Sequence, residues 1–140
     1  MTRSEARCEA FKLIFQIEAH KEDFAQIVEI FIEENADMKK SDKKQFNYII
    51  NTANGAYAKF AELDTSIESN LTTDWKLPRL SRVSLAILRL AAYEILCAED
   101  IPDSVAVNEA VELAKIYDED AAPSFINGVI SGIIKSKEQQ

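Results

Sequence analysis

Apolar side chains recur at steps of three and four residues along most of this chain, and that spacing places them on one face of an α-helix. The pattern predicts helices over about residues 4–19, 22–35, 41–69, 81–97, 104–116 and 122–136. Turn-forming residues, including Pro78, mark one internal boundary after residue 69 and leave room for a single helical turn around 72–76. Three glycines and three prolines are few for a turn-rich β-protein, so the sequence predicts an all-α fold.

The predicted helix over 81–97 differs from the others because apolar residues surround almost its whole circumference. Such a helix is expected to be central in the fold and covered on all sides. Arg89 lies in its middle, and a lone buried charge is very costly, so Arg89 must be paired or must reach an opening. Glu109 and Glu112, on the next helix, are the acidic residues that we expect to pair with Arg89 or Arg82.

The predicted last helix carries small and polar side chains opposite its apolar stripe. These residues are Ser124, Asn127, Gly128, Ser131, Gly132 and Lys135. Two interpretations are open at this point. Another helix could pack closely against this side, which composition favours. Alternatively, a ligand could approach the bare backbone, with Ser124, Asn127 and Lys135 as hydrogen-bond donors.

Charge is unevenly distributed along the chain. The formal net charge is −8 and the sequence pI is near 4.7, which gives no long-range attraction to nucleic acids or anionic membranes. Residues 75–93 nevertheless contain four basic residues and no acidic one. Arg3 and Arg7 lie one turn apart at the start of the first predicted helix, where the helix dipole favours an anion. A phosphate or an acidic side chain would satisfy these two arginines.

The sequence contains no set of side chains typical of an enzyme or a metal site. His20 is the single histidine, Cys8 and Cys97 lie far apart, and no glycine-rich phosphate-binding motif occurs. We therefore predict a non-enzymatic protein without a metal or a cofactor. No apolar run reaches the roughly 18 residues that a membrane span needs, and the start lacks the apolar core of a secretory signal. We accordingly expect a cytoplasmic protein that does not bind membranes.

Three stretches of the sequence carry a resemblance to a known family. The segments "WKLPRLSRVSLAILRLAAYEIL" and "IPDSVAVNEAVELAKIYDEDAAPSFINGVI" resemble the C-terminal half of the NusB family of bacterial transcription antitermination factors. "RSEARCEAFKLIFQIE" resembles the arginine-rich first helix of that family. The resemblance implies about seven helices in two three-helix-like bundles packed across each other. It also implies one NusB-like domain over residues 1–140, with halves at about 1–71 and 72–140.

The resemblance further implies a role in transcription antitermination. It implies binding of box A RNA, a short single-stranded element of nascent ribosomal transcripts, together with the small-subunit ribosomal protein NusE, within an RNA polymerase antitermination complex. The positions that match the family's RNA contacts are Arg3, Arg7, Ser124, Phe125 and Asn127. Phe15, Arg79 and Arg82 match its partner-binding surface. Some members of the family form homodimers, so a homodimer is a further partner to consider.

The chain departs from the family pattern at several points. The first helix has fewer arginines than the family often has, with Ser4 and Glu5 between Arg3 and Arg7. Phe15 lacks the hydroxyl of the tyrosine often found there, and the chain is strongly acidic. We therefore expect RNA binding to depend on a basic partner. One alternative is an acidic helical interaction module without RNA binding. A second is an accessory domain of a ribosomal RNA methyltransferase, but the chain ends at Gln140 without a cofactor-binding domain, so we expect a free-standing factor.

Overall fold

The computed structural model describes residues 1–72 and 76–139, which form eight α-helices with no β-strand among them. The helices are α1 (Arg3–Phe15), α2 (Phe24–Glu34), α3 (Ala36–Ser41), α4 (Lys43–Ala58), α5 (Phe60–Ser69), α6 (Arg82–Leu96), α7 (Asp103–Tyr117) and α8 (Ala122–Glu138). A short 3₁₀ turn over Leu77–Arg79 leads into α6. The all-α prediction is confirmed, with eight helices in the described residues where about seven were expected.

Helix α6 is the centre of the fold. Eleven of its fifteen residues are buried, including every residue from Ser84 to Ala92. Helices α7 and α8 pack against α6 and against each other, while α1, α4 and α5 cover its remaining sides. The prediction of a central helix covered on all sides is therefore confirmed. Helices α1, α2 and α3 pack on α4, whereas α5 packs mainly on α6 and α8.

Two predicted helix boundaries are wrong. The first helix ends at Phe15 rather than near residue 19, and Gln16 is its C-cap. The helix predicted over 41–69 begins where expected, with Asp42 as the N-cap of α4, but it is interrupted at Lys59, which separates α4 from α5. This interruption escapes a sequence pattern because the apolar residues keep their three- and four-residue spacing across it. Helix α3, which ends just before Asp42, was not predicted. The turn expected around 72–76 falls mainly on residues 73–75, which lie outside the described residues.

Gly55 allows α4 to approach α6 closely. A glycine inside a helix weakens it by about 1 kcal/mol relative to alanine. A Cβ atom at Gly55 would overlap the ring of Tyr93, which belongs to α6. The glycine therefore provides the space in which the Tyr93 ring lies against α4.

Arg89, in the middle of α6, is buried and fully paired. Its side chain forms a bidentate pair with Asp64 on α5, in which Nε lies 2.8 Å from Oδ1 and Nη2 lies 2.7 Å from Oδ2. Its Nη1 lies 2.8 Å from Oε2 of Glu18, just after α1. Burial by itself lowers the pKa of Arg89, but the carboxylates of Asp64 and Glu18 raise it above its ordinary value. Arg89 is thus a charged group that joins three parts of the chain.

The expectation that Arg89 is paired is confirmed, but the partners expected for it are wrong. Glu109 pairs with Arg7, and Glu112 pairs with its neighbour Lys115. Arg89 emerges on the side of α6 that faces α5 and the end of α1, whereas Glu109 and Glu112 belong to α7. The sequence showed that a partner was needed, but the side of α6 on which it lies depends on how the helices pack.

Glu18 makes the stability of the fold sensitive to acid. Burial raises the pKa of Glu18, but the nearby Arg89 guanidinium, aided by Lys21, outweighs this effect and lowers the pKa below its ordinary value of 4.5. A carboxyl group whose pKa is lowered by folding contributes stability that is present above the unfolded-state pKa. That stability is lost as the pH falls through the lower, folded-state pKa.

We predict that the free energy of unfolding falls as the pH drops below about 4.5, and that Glu18→Gln makes this fall smaller. The measurement is urea unfolding of both proteins between about pH 7 and about pH 3. Glu33→Gln, at an exposed position of α2, is the matched control and should follow the wild type. If the Glu18→Gln curve also ran parallel to the wild-type curve, the proposed contribution of Glu18 would be wrong.

Candidate nucleic-acid interface

The side chains expected to bind RNA or a partner lie at the two ends of α1. Arg3 is the first residue of α1 and Phe15 is the last. They are twelve positions apart along the helix, which at 1.5 Å per residue places their backbones about 18 Å apart. The structure therefore divides the predicted residues into two clusters, here called the Arg3 end and the Phe15 end of α1.

At the Arg3 end, one arginine lies on an aromatic ring without an acidic partner. The guanidinium carbon of Arg3 is 4.1 Å from the centroid of the Tyr48 ring, and its Nε donates to Oε1 of Gln45 at 2.8 Å. Within residues 1–72 and 76–139, no carboxylate pairs with Arg3. Its positive charge is therefore available to an anion such as a phosphate.

Arg7, one turn further along α1, is in a different environment. It is 2% exposed, its Nε donates to Oε1 of Glu94 at 2.9 Å, and its Nη1 lies 3.3 Å from Oε1 of Glu109. Burial lowers the pKa of Arg7, but the hydrogen bond and charge of Glu94 raise it above its ordinary value, so the side chain stays charged. Of the two partners that the sequence allowed, the acidic side chain is the one observed. The expected direct contact between Arg7 and RNA conflicts with this burial.

The buried network around Arg7 also holds the ring on which Arg3 lies. The hydroxyl of Tyr48 donates to Oε2 of Glu94 at 2.8 Å, and Ser4 donates to Oε1 of Glu109 at 2.6 Å. Burial, followed by the charge of Glu94, raises the pKa of Tyr48 well above its ordinary value, so its hydroxyl remains a hydrogen-bond donor. Arg7 therefore supports the position of Arg3 indirectly, through Glu94 and Tyr48.

Glu94 and Tyr48 were not among the site residues predicted from the sequence. A glutamate inside an apolar helix needs a buried cation, just as Arg89 needs a buried carboxylate, so Glu94 was itself a usable signal. Arg7, within the apolar arc of the first helix, was the matching signal. The two residues are 87 positions apart, and only the packing of α1 on α6 brings them together.

At the Phe15 end, an aromatic groove of about 580 Å³ lies between the end of α1, the start of α6 and the end of α7. The rings of Phe11 and Tyr117 are 5.2 Å apart within its wall, and Phe15 is 38% exposed beside them. Arg82 lies on the rim and has no carboxylate partner among the described residues. Two of the three predicted partner-binding residues, Phe15 and Arg82, thus share one groove.

A second groove, of about 380 Å³, brings Arg79 and Phe125 together at the start of α8. Ser124 and Asn127 are exposed on either side of Phe125 along this helix. Asp118 and Glu119 also line the groove, and their negative charges disfavour a phosphate there. Uncharged base edges are therefore a better fit to this groove than the RNA backbone.

The two grooves at the Phe15 end adjoin each other. Tyr117 lines the first groove and Asp118 the second, while Arg82 lines the first and Ser81 the second. A hydrogen bond from the Ser84 hydroxyl to the Asp118 carboxylate ties the start of α6 to the end of α7. The structure therefore collects Phe15, Arg79, Arg82, Ser124, Phe125 and Asn127 at one end of α1 and leaves Arg3 at the other.

The small side of α8 is packed at one of its glycines and open at the other. A Cβ atom at Gly132 would overlap the side chain of Asn70, so close packing explains this glycine. A Cβ atom at Gly128 would meet nothing within 4 Å, and Gly128 is exposed next to Asn127. The first turns of α8 therefore keep an open backbone face, while its later turns are packed.

The single histidine and one of the two cysteines contact polar side chains of the protein itself. His20 Nδ1 lies 3.0 Å from Oδ1 of Asp23, and Cys8 Sγ lies 3.0 Å from the hydroxyl of Tyr117. No group of three or more side chains that could hold a metal ion occurs in the described part of the chain. Among the helices formed by residues 1–72 and 76–139, none has the length and apolar character needed to cross a membrane.

Comparison with known proteins identifies close relatives over nearly the whole chain. The sequence model of the NusB family matches residues 4–135. The transcription antitermination protein NusB of Clostridium novyi is 46% identical over 136 residues, which cover 97% of this chain and 100% of that protein. NusB of Clostridium acetobutylicum is 39% identical over 140 residues, which cover 100% of both chains.

Solved structures show the same fold. T. maritima NusB superposes with a TM-score of 0.85 at 35% identity, over 99% of this chain and 96% of that one. A chain in the crystal structure of antitermination factors NusB and NusE in complex with double-stranded RNA superposes with a TM-score of 0.79 at 27% identity. That match covers 97% of this chain and 99% of the other.

We predict that Glu94→Gln destabilises the protein by about 3 kcal/mol, because it leaves the buried Arg7 without its main counter-charge. The measurement is urea unfolding near neutral pH. Glu112→Gln, which removes a carboxylate from an exposed ion pair, is the control and should change stability by less than about 0.5 kcal/mol. Equal effects of the two substitutions would show that the Arg7–Glu94 pair does not carry the stability assigned to it.

Proposed function

This chain belongs to the NusB family, and on that premise we propose that it binds single-stranded box A RNA of nascent ribosomal transcripts together with NusE. Its curated relatives are transcription antitermination proteins, so the prediction of a non-enzymatic protein is confirmed. We further propose that residues 1–140 act as one NusB-like domain. The same proposal places the protein in the cytoplasm, within an RNA polymerase antitermination complex.

One observation carries the RNA-binding proposal: each end of α1 has an arginine without a carboxylate partner in contact with or close to an aromatic ring, and the ring at the Phe15 end is exposed. Arg3 lies on Tyr48 at one end, and Arg82 shares a groove with Phe15 at the other. Unpaired RNA is commonly held by cations that contact its phosphates and by aromatic rings that stack on its bases. Such an arrangement is typical of sites for single-stranded RNA.

The proposed RNA path runs from Arg3 to the start of α8. Arg3 binds a phosphate, and Ser124, Phe125 and Asn127 contact bases in the second groove, where Asp118 and Glu119 disfavour phosphates. Arg7 is excluded as a direct contact because it is 2% exposed. It acts instead through Glu94 and Tyr48, which position Arg3.

NusE is proposed to occupy the aromatic groove at the Phe15 end. Phe15 and Arg82 line this groove, and Arg79 lines the adjoining one, so a partner seated here would border the RNA. The net charge of −8 repels an RNA backbone at long range, and a basic partner would reduce this repulsion. We therefore propose that RNA affinity depends on the complex with NusE.

A homodimer is a second way to cover the same aromatic groove. Tyr117, which lines this groove, is 41% exposed, and Phe15 is 38% exposed, so the groove leaves apolar surface uncovered. A second copy seated there would compete with NusE. Analytical ultracentrifugation with and without NusE separates the two, since a competing homodimer dissociates as NusE is added.

We predict that the complex with NusE binds box A RNA more tightly than the isolated protein does. We also expect the complex to bind box A RNA more tightly than a scrambled RNA. The measurement is titration of labelled RNA at several salt concentrations. Arg3→Ala should weaken binding and reduce the slope of log affinity against log salt by about 0.7, the value expected for one lost phosphate contact to a single strand. Equal affinity of the isolated protein and the complex at matched salt would contradict the dependence on NusE.

We also predict that Phe15→Ala weakens NusE binding about tenfold, because an exposed aromatic anchor in a groove is a typical binding hot spot. Calorimetric titration of NusE into each variant provides the measurement. Ile30→Ala is the matched control, since Ile30 is 50% exposed on α2 and does not line the groove. If both substitutions left the affinity unchanged, the groove would not be the NusE site.

A further inference from the structure

A third groove, of about 580 Å³, opens beside Arg3 on the side away from Phe15. Its walls are the first turns of α4, the last turn of α6 and the turn over residues 97–101 that follows α6. The RNA path proposed above does not use this groove. Because Arg3 lines it, an RNA phosphate bound to Arg3 would lie at its edge.

One wall of this groove presents a row of groups able to bind a nucleotide. Lys44, Asn47, Tyr48 and Asn51 lie on one face of α4, because Asn47 and Tyr48 are each three or four residues from both Lys44 and Asn51. Asn47 and Asn51 are exposed, and neither amide is hydrogen-bonded to another described residue. An asparagine amide both donates and accepts hydrogen bonds, as the edge of a nucleobase does.

The opposite wall is acidic. Glu99 and Asp100 lie in the turn after α6, and both are exposed without an ion pair within the described ranges 1–72 and 76–139. The groove therefore has cations, Arg3 and Lys44, on one side and carboxylates on the other. A phosphate is attracted to the first side and repelled by the second, which orients a bound nucleotide across the groove.

The carboxylates also favour some bases over others. An aspartate or glutamate accepts hydrogen bonds from the exocyclic amino group of cytosine, adenine or guanine. Uracil has no amino group and offers only its N3–H as a donor on its edge, so it can donate fewer hydrogen bonds to the carboxylates of this wall. Tyr93 adds a ring to the groove, and Gly55 provides the space in which that ring lies against α4.

We propose that this groove binds one unpaired nucleotide of the RNA, next to the nucleotide whose phosphate contacts Arg3. Asn47 and Asn51 hydrogen-bond to the edge of its base, and the carboxylates of Glu99 and Asp100 select a base with an amino group over uracil. The inference rests on the proposed function and extends it, because it names a base-selective position on α4. Recognition of bases through their edges is the usual source of sequence specificity in single-stranded RNA.

The test compares asparagine variants of the full chain in complex with NusE. The double variant Asn47→Ala/Asn51→Ala should bind box A RNA with its flanking nucleotides about tenfold more weakly than the wild type. Its salt dependence should be unchanged, because no phosphate contact is lost. Asn54→Ala is the matched control, since Asn54 is an exposed asparagine of the same helix that does not line the groove.

Base selection is tested with a set of RNAs in which each amino-bearing nucleotide is replaced in turn by uracil. In the wild type, replacement of one nucleotide that does not contact the Phe15 end of α1 should weaken binding about tenfold. Glu99→Gln/Asp100→Asn should reduce that discrimination while a urea unfolding midpoint shows that the fold is kept. Loss of discrimination in both groove variants, but not in Asn54→Ala, is the expected result.

Two failures are distinguishable. If the wild-type complex binds RNA but the asparagine variant behaves like Asn54→Ala, the third groove is not a nucleotide site and the proposed function stands. The same conclusion follows if uracil replacement has equal effects in the wild type and in the carboxylate variant. If the wild-type complex binds neither box A RNA nor any replacement, the proposed function itself is overturned, and this inference with it.

Discussion

Two buried arginines determine how the helices pack around α6. Arg7 reaches from α1 to Glu94 on α6, and Arg89 reaches from α6 to Asp64 on α5 and Glu18 beyond α1. A buried charge without a partner is strongly destabilising, so any packing that separates these pairs is disfavoured by several kcal/mol. Apolar contacts alone tolerate small shifts between helices, whereas these pairs require one arrangement of α1, α5 and α6.

The same constraint links the core to the surface. The carboxylate of Glu94 accepts hydrogen bonds both from the guanidinium of Arg7 and from the hydroxyl of Tyr48. Tyr48 in turn carries Arg3 on its ring. A residue that could bind a phosphate is therefore positioned by a chain of contacts that begins in the middle of the protein. This explains why two arginines one turn apart on α1 have such different environments.

The sequence was sufficient to predict the fold class, the central position of α6 and the need for a partner at Arg89. These features depend on local composition and on the cost of burying apolar or charged groups. The identity of the partners could not be predicted in the same way, because Arg7 and Glu94 meet only after α1 packs on α6. The break at Lys59 was missed because it leaves the apolar spacing intact. Likewise, Arg3 and the residues near the start of α8 looked like parts of one surface, and only the structure shows them at opposite ends of α1.

The length of α1 has a consequence of its own. An α-helix is a stiff rod, and each residue added to it or removed from it rotates everything beyond that point by about 100°. One inserted residue between Arg7 and Phe15 would turn Phe15 away from its groove if Arg7 kept its place beside Glu94. Helix α1 therefore fixes both the distance between its two ends and the directions in which their side chains point. Its thirteen residues are constrained in number as well as in kind.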